Sequence, residues 1–309
     1  MQKKYRIAIL GIGGVGGFLG GKLAAAYSQS TDTEIIFIAR GNNADAIKKI
    51  GLKLITPAGE ITVRPDIVAD ADSIGEINLL ICCTKTYDLE NSINALSSSI
   101  TADTIILPIL NGVDSTDKIQ LMLPSAKVLQ GCIYLVSKLI APGIVQQRGE
   151  FYSLHFGGDK TLTAEMIKLQ DLFGKANINA ILEENIHEKV WSKFSFISPI
   201  ATYTSAYNIS IGKILERDEH TTSLKRLMAE LLRLAKALNI NLPPDSIEKN
   251  FAVMAKLPYE TTSSMQADFA NNKPTELETL TGVVVRKAAE KGIDVDSYTR
   301  MYQLLRERQ

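Results

Sequence analysis

Behind the compact apolar run Tyr5–Leu10 stands a glycine-rich loop, Gly11-Ile12-Gly13-Gly14-Val15-Gly16, and behind the loop a small-residue helical stretch, Phe18–Tyr27. A strand-length run, a GxGxxG loop and a helical pattern in that order form the entry to a dinucleotide-binding βαβ unit. In such a unit Gly11 permits the tight turn, Gly13 lets backbone N–H groups approach a pyrophosphate, and Gly16 lets the helix close on the sheet. The helix N-terminus adds unpaired donors and the positive end of its dipole. All six loop residues, Gly11, Ile12, Gly13, Gly14, Val15 and Gly16, are therefore cofactor-binding candidates. A glycine-rich turn that binds nothing is the bland reading, and the strand–loop–helix order argues against it.

The first half continues with apolar runs at Glu34–Ala39, Asn78–Thr84, Thr104–Leu110 and Lys127–Tyr134. Continuous apolar strands separated by helix-length segments predict a parallel sheet covered on both faces. Pro57-Ala58-Gly59, inside Gly51–Val63, signals a hairpin insertion. A strand-like stretch, Gly143–Phe156, then a helix and a short strand read as the closing edge of the first domain. From near residue 185 the pattern turns helical. Leu224, Leu227, Met228, Leu231, Leu232, Ala235 and Leu238 follow helical spacing, and Thr275–Gly292 forms another helical pattern stopped by Gly292. The expected fold class is α/β: an N-terminal Rossmann, doubly wound, mainly parallel sheet over residues 1–183, followed by an all-α domain over residues 184–309. A chain of 309 residues is long for one core, which agrees with two domains.

With 34 basic and 34 acidic residues the chain is formally neutral, which argues against a nucleic-acid binder. Three cysteines, Cys82, Cys83 and Cys132, suit neither a disulfide framework nor a zinc site and read as reduced core residues. The start Met1-Gln2-Lys3-Lys4 has the charge of a secretory leader, but seven glycines between Gly11 and Gly21 spoil the apolar segment that a leader needs. No stretch gives 18 unbroken apolar residues, so a cytoplasmic protein without a membrane span is expected. No metal site is expected: His187-Glu188 begins like HExxH but the fifth position is Trp191. Hydrolytic chemistry of the GxSxG type lacks its elbow.

The second strand ends Ile38-Ala39-Arg40-Gly41. An acid there would accept from the ribose 2′-OH of NAD; an arginine can pair with the 2′-phosphate of NADP, and no acid competes at that spot in the sequence. Lys85 and Asn111 follow two further strand runs, at carboxyl ends where open α/β sheets bind ligands. Each is also an ordinary loop residue, Asn111-Gly112 especially being a good turn dipeptide.

Across residues 190–212 Lys193 is the only charged side chain. An ammonium in such surroundings either reaches solvent or is held for chemistry. In a reductase it can stabilise and protonate the alkoxide formed at a ketone. Pro199 is expected to kink or divide this helix. Ser263 and Ser264 have the character of helix caps and Glu276 of a first-turn acid, both ordinary structural roles.

Taken in order, the N-terminal GxGxxG, Arg40, Lys85, Asn111-Gly112, Trp191-x-Lys193, Ser263-Ser264-Met265-x-x-Asp268 and Thr275-Glu276 resemble the ketopantoate reductase (2-dehydropantoate 2-reductase) family over nearly the whole chain. The resemblance implies NADPH-dependent reduction of 2-dehydropantoate to pantoate, for pantothenate biosynthesis, in a cleft between a Rossmann and a helical domain. It implies Lys193 as the general acid. Asn111 would contact the nicotinamide end and the substrate, and Ser264 the substrate carboxylate. Glu276 would contact the nicotinamide-side ribose and help orient Lys193, while Arg40 and Lys85 would serve the adenosine end. One departure concerns the substrate: the family carries asparagines four and eight residues after the lysine, and here Ile197 and Ala201 stand there. Ser198, Thr202 or Thr204 would compensate if Pro199 changed the helical phase. Two alternatives accompany this reading: a paralogous NADPH-dependent reductase of another 2-oxo acid, and a non-catalytic NADP-binding redox sensor. The sequence leaves oligomeric state open, a homodimer through the helical domain being one arrangement it permits.

Overall fold

The computed structural model describes residues 4–69 and 74–309. Most of the leader-like start, Met1 to Lys3, lies outside the described residues. The chain divides into two compact units, one comprising Met1–Leu110 with Ser115–Ile186, the other Asn111–Asp114 with His187–Gln309.

The first unit contains β1 (Tyr5–Leu10), α1 (Gly14–Ala26), β2 (Thr33–Ile38), α2 (Gly41–Ile50), β3 (Leu52–Thr56), β4 (Gly59–Val63), β5 (Ile67–Ala69) and β6 (Leu79–Cys82). It continues with α3 (Leu89–Ala95), β7 (Ile105–Pro108), α4 (Ser115–Met122), β8 (Lys127–Val128), β9 (Gln130–Ala141), β10 (Ile144–Gly157), α5 (Thr163–Lys175) and β11 (Ala180–Leu182). Six strands form one sheet in the order β5-β2-β1-β6-β7-β8. Every neighbouring pair in it is parallel, the doubly wound arrangement whose strand order reverses beside β1.

The continuous apolar runs have a direct cause. On β1, Ile7 and Ile9 join a core with Phe18, Leu19 and Leu23 of α1 and Leu169 and Phe173 of α5. Ala8 and Leu10 enter the opposite core with Leu89 and Ile93 of α3 and Ile119 of α4. Both faces are covered from Ile7 to Leu10, so none of these four positions is free to be polar.

A second sheet, order β11-β10-β3-β4 with β9 also paired to β10, was not expected from the sequence. The anticipated hairpin over Gly51–Val63 is β3–β4, turning at Pro57-Ala58, and it is part of this sheet, with β3 parallel to β10. The run Lys127–Tyr134 is not one strand. Leu129 N donates to Ile106 O and completes the pairing with β7; from Gln130 onward the chain pairs antiparallel with β10. One apolar run therefore serves two sheets, which periodicity alone does not separate.

The second unit is built from α6 (Ile186–Tyr207), α7 (Ile211–Glu216), α8 (Asp218–Ala237), α9 (Ser246–Met254), α10 (Ser264–Ala270), a π-helical turn (Glu278–Gly282), α11 (Val283–Lys291) and α12 (Asp296–Arg306). Gly292 ends α11 in the left-handed conformation, φ 63°. Of the two outcomes expected at Pro199, division does not occur: α6 runs for 22 residues through it. A proline lacks the N–H that would bond the carbonyl four residues back, here that of Ser195. Asn250 of α9 supplies the missing donor, its Nδ2 lying 3.1 Å from Ser195 O. Trp191, Phe194 and Tyr203 anchor α6 as fully buried side chains.

Glu230, buried in the middle of α8, caps α12: its carboxylate accepts from Ser297 N at 2.9 Å and from Tyr298 N at 3.0 Å. Two charge-assisted bonds to a helix N-terminus are strong contacts, and losing them leaves the donors buried. Glu230→Ala should cost about 2–3 kcal/mol of stability in urea titration. A change below about 0.5 kcal/mol, the size of an ordinary surface substitution, would refute this role.

Candidate active site

In the first unit the glycine loop leaves β1 and opens α1. Gly13 is the N-cap residue, extended at φ −93° and ψ −152°, with no side-chain cap and no acid in the first helical turn. The first-turn N–H groups therefore lack the usual internal acceptor, as an anion site requires. Gly11 has φ +90°, and a Cβ there would come within 2.8 Å of Thr84 N, past the end of β6. A Cβ at Gly16 would run into the carbonyl oxygen of Gly11 and stand 3.0 Å from Cys83 Cβ. At Gly13 nothing lies within 4 Å of that position, so the loop is closed against the sheet and open on its other side. Thr84 Oγ1, beside Gly11, is buried with no hydrogen-bond partner among the described residues. An uncapped helix start, an open loop face and an orphaned hydroxyl beside it fit a dinucleotide pyrophosphate.

Asn43 of α2, which sequence reasoning missed, latches this loop. Its Nδ2 donates to Ile12 O at 2.8 Å and its Oδ1 accepts from Gly143 N at 2.7 Å. These partners stand 31 and 100 residues away, so no local pattern marks the residue.

Arg40 directly follows Ala39 beyond β2, and Lys85 lies beyond β6, on the two strands that flank β1. Lys85 leads a single 3₁₀ turn, Thr86–Asp88. This turn corrects one expectation: an acid does stand near Arg40, because Asp88 Oδ2 lies 3.4 Å from its Nη2. The Arg40 side chain is 68% exposed, and such a pair contributes about 0–1 kcal/mol. It leaves the guanidinium open to a more highly charged partner. Burial pushes the thiols of Cys82 and Cys83 well up from the usual cysteine range, and none of the three cysteines is in a disulfide.

In the second unit three predicted residues meet. Lys193 Nζ donates to Asn111 Oδ1 at 3.3 Å, and Asn111 Nδ2 donates to Glu276 Oε2 at 3.3 Å. An ammonium only donates and an ionised carboxylate only accepts, so the amide has one workable orientation between them. Glu276 is buried, and its backbone carbonyl accepts from Leu280 N, which fixes it at the mouth of the π-helical turn. Lys193 is half-buried on α6. The sequence marked each residue singly; the amide as the bridge between the other two emerges only from the fold.

Ser264 is the exposed first residue of α10. The cap is Ser263, whose Oγ accepts from Gln266 N at 3.1 Å and lies 2.9 Å from Thr204 Oγ1. Ser263 thus ties the start of α10, and Ser264 with it, to α6 at Thr204. The hydroxyls expected to compensate for Ile197 and Ala201 are engaged elsewhere. Ser198 Oγ donates to Leu280 O at 2.6 Å and takes the Tyr298 hydroxyl at 2.8 Å, Thr202 pairs with Thr281 at 2.7 Å, and Thr204 pairs with Ser263. Pro199 has not turned them toward Lys193.

Among the described residues no helix is long and apolar enough to cross a membrane. Comparison with known proteins agrees with the architecture in both halves. The family "Ketopantoate reductase PanE/ApbA" matches residues 7–159, and "Ketopantoate reductase PanE/ApbA C terminal" matches residues 185–309. An uncharacterized oxidoreductase, YkpB of Bacillus subtilis, is 25% identical over 284 residues, covering 92% of each chain. The crystal structure of 2-dehydropantoate 2-reductase from Porphyromonas gingivalis W83 is 31% identical with a TM-score of 0.85, covering 98% of this chain and 99% of that one. A D-mandelate dehydrogenase solved with NADH and anilino(oxo)acetate shares the fold at a TM-score of 0.88 and 21% identity, with 98% of both chains covered. With both halves matched, the chain belongs to the ketopantoate reductase PanE/ApbA family, whose members are nicotinamide-dependent reductases of 2-oxo acids.

Proposed function

We propose that this protein reduces a 2-oxo acid to the corresponding 2-hydroxy acid with NADPH, Lys193 acting as the general acid. The observation that carries the reading is the hydrogen-bonded chain from Lys193 through Asn111 to Glu276. When bound, a reduced nicotinamide supplies the hydride that reaches the carbonyl carbon. The Lys193 ammonium stabilises the negative charge that grows on the carbonyl oxygen and gives that oxygen its proton. Asn111 Oδ1 holds Nζ in place, and Glu276 fixes the amide so that its oxygen, not its nitrogen, faces the lysine. The glycine loop with Lys85 and Arg40 holds the cofactor's phosphates, Arg40 taking the 2′-phosphate; Asn111 and Glu276 serve its nicotinamide end, and Ser264 the substrate carboxylate. A protein that only sensed NADP would have no use for the lysine and its bridge.

Two substrates are compatible with the family. The reading favoured by the 31% identical Porphyromonas gingivalis relative is 2-dehydropantoate, with pantoate as product and pantothenate as the pathway. The engagement of Ser198, Thr202 and Thr204 by protein partners favours a second, a different 2-oxo acid. Cysteines that form no disulfide support a cytoplasmic location in either case.

Steady-state oxidation of NADPH and NADH with a panel of 2-oxo acids tests the proposal. NADPH should be preferred, and Arg40→Ala should lower kcat/KM for NADPH about 10- to 100-fold, the size of a lost charge-assisted contact, with little effect on NADH. Equal use of NADH by the parent protein would overturn the cofactor assignment. Tight NADPH binding with no acid reduced would point instead to the sensor.

A further inference from the structure

We infer that Ile197 selects for 2-oxo acids whose side chain is wholly apolar, so that a substrate hydroxyl at this position is disfavoured; the inference rests on Lys193 being the acid that meets the substrate oxygen. On a helix of 3.6 residues per turn, Ile197 lies roughly 40° around from Lys193 and about 6 Å along the axis. Ile200 and Ala201 flank the same stripe, both buried at 4% exposure, while Ile197 is half-buried like Lys193 itself. Ile197 therefore presents a hydrocarbon surface one turn beyond the ammonium, backed by the buried Ile200 and Ala201.

The polar groups that could interrupt it are turned away or occupied. Ser198 and Thr202 lie roughly 140–180° around the helix from Lys193. They bond Leu280 O, Tyr298 and Thr281 within the protein and are completely buried. Thr204 returns to the lysine's side only about 16 Å along, where it is already paired with Ser263. Lys193 and Asn111 are committed to the carbonyl end. A substrate hydroxyl that leaves water to lie against Ile197 therefore gives up its hydrogen bonds for no partner on α6.

The informative pair is 2-dehydropantoate and trimethylpyruvate, which differ by one hydroxyl on a methyl group of an otherwise identical branched side chain. With NADPH saturating, kcat/KM for trimethylpyruvate should exceed that for 2-dehydropantoate by about 10- to 100-fold, since an apolar pocket rejects an added hydroxyl only moderately. Ile197→Asn, which places an amide donor and acceptor on the stripe, should move that ratio toward 2-dehydropantoate by about tenfold or more, chiefly through KM. Ile197→Leu should keep the parent preference, and NADPH titration by fluorescence confirms that the variants are folded. Preference for 2-dehydropantoate by the parent protein, or a ratio that Ile197→Asn leaves unmoved in a folded variant, would overturn the inference while leaving the reductase intact. Reduction of neither acid, nor of any other in the panel, by NADPH-bound protein would overturn the reductase reading itself.

Discussion

Lys193→Ala should lower kcat by about 100- to 10,000-fold while changing NADPH affinity less than about threefold. That range is what a positioned general acid contributes, about 3–5 kcal/mol of the barrier. The reason lies in what Lys193 touches. Its Nζ is held by Asn111 Oδ1 and, through that amide, is tied to a buried carboxylate. Alanine removes the proton donor without opening the core, because the α6 anchors Trp191, Phe194 and Tyr203 stay in place. Stopped-flow measurement of a single turnover separates the chemical step from product release. Turnover at the parent rate would remove Lys193 from the mechanism and leave it as a surface-seeking lysine.

The second large effect is expected at the other end of the reaction, in the first unit. A methyl group at Gly16 has to displace the Gly11 carbonyl oxygen, a backbone atom held between α1 and the end of β6. Neither neighbour is a flexible side chain, so the helix shifts off the sheet or the loop opens. Overpacking of this kind costs about 1–3 kcal/mol and alters the donors that a pyrophosphate needs. Gly16→Ala should weaken NADPH binding by about 100-fold or more and lower the unfolding midpoint. Gly13→Ala is the informative contrast. That position is extended and has nothing within 4 Å, so alanine should leave stability nearly unchanged and reduce affinity alone, by standing where the phosphates approach. Parent-like affinity in both variants would exclude this loop as the cofactor site.

These two sites differ in how visible they were beforehand. The loop is local: its strand, glycines and helix follow one another, and each has a conformational reason to be where it is. The place of Arg40 just past the end of β2 was legible for the same reason, one strand further on. Asp88 beside it was not, because their proximity depends on β2 and β6 flanking β1 in the same sheet, 48 residues apart in the chain. The bridge from Lys193 through Asn111 to Glu276 is more remote still. Asn111 lies 82 residues from Lys193 and 165 from Glu276, and no periodicity carries information over such separations. The second sheet was missed for a related reason. Hydrophobic runs report burial, and the run around Leu129 is buried in both of the sheets it serves. At Pro199 the local rule for a helix breaker was overridden by one distant asparagine offering its amide.

Asn111 sits between β7 and α4 in the chain, yet the four residues Asn111–Asp114 are grouped with the helices that begin at His187. A fragment cut at the start of the helical half therefore carries the ammonium and the carboxylate but not the amide that joins them. A chimera that exchanges halves with a relative inherits the bridging residue from one parent and its two clients from the other. Recombination at that junction should transmit the cofactor loop intact and yet scramble proton delivery.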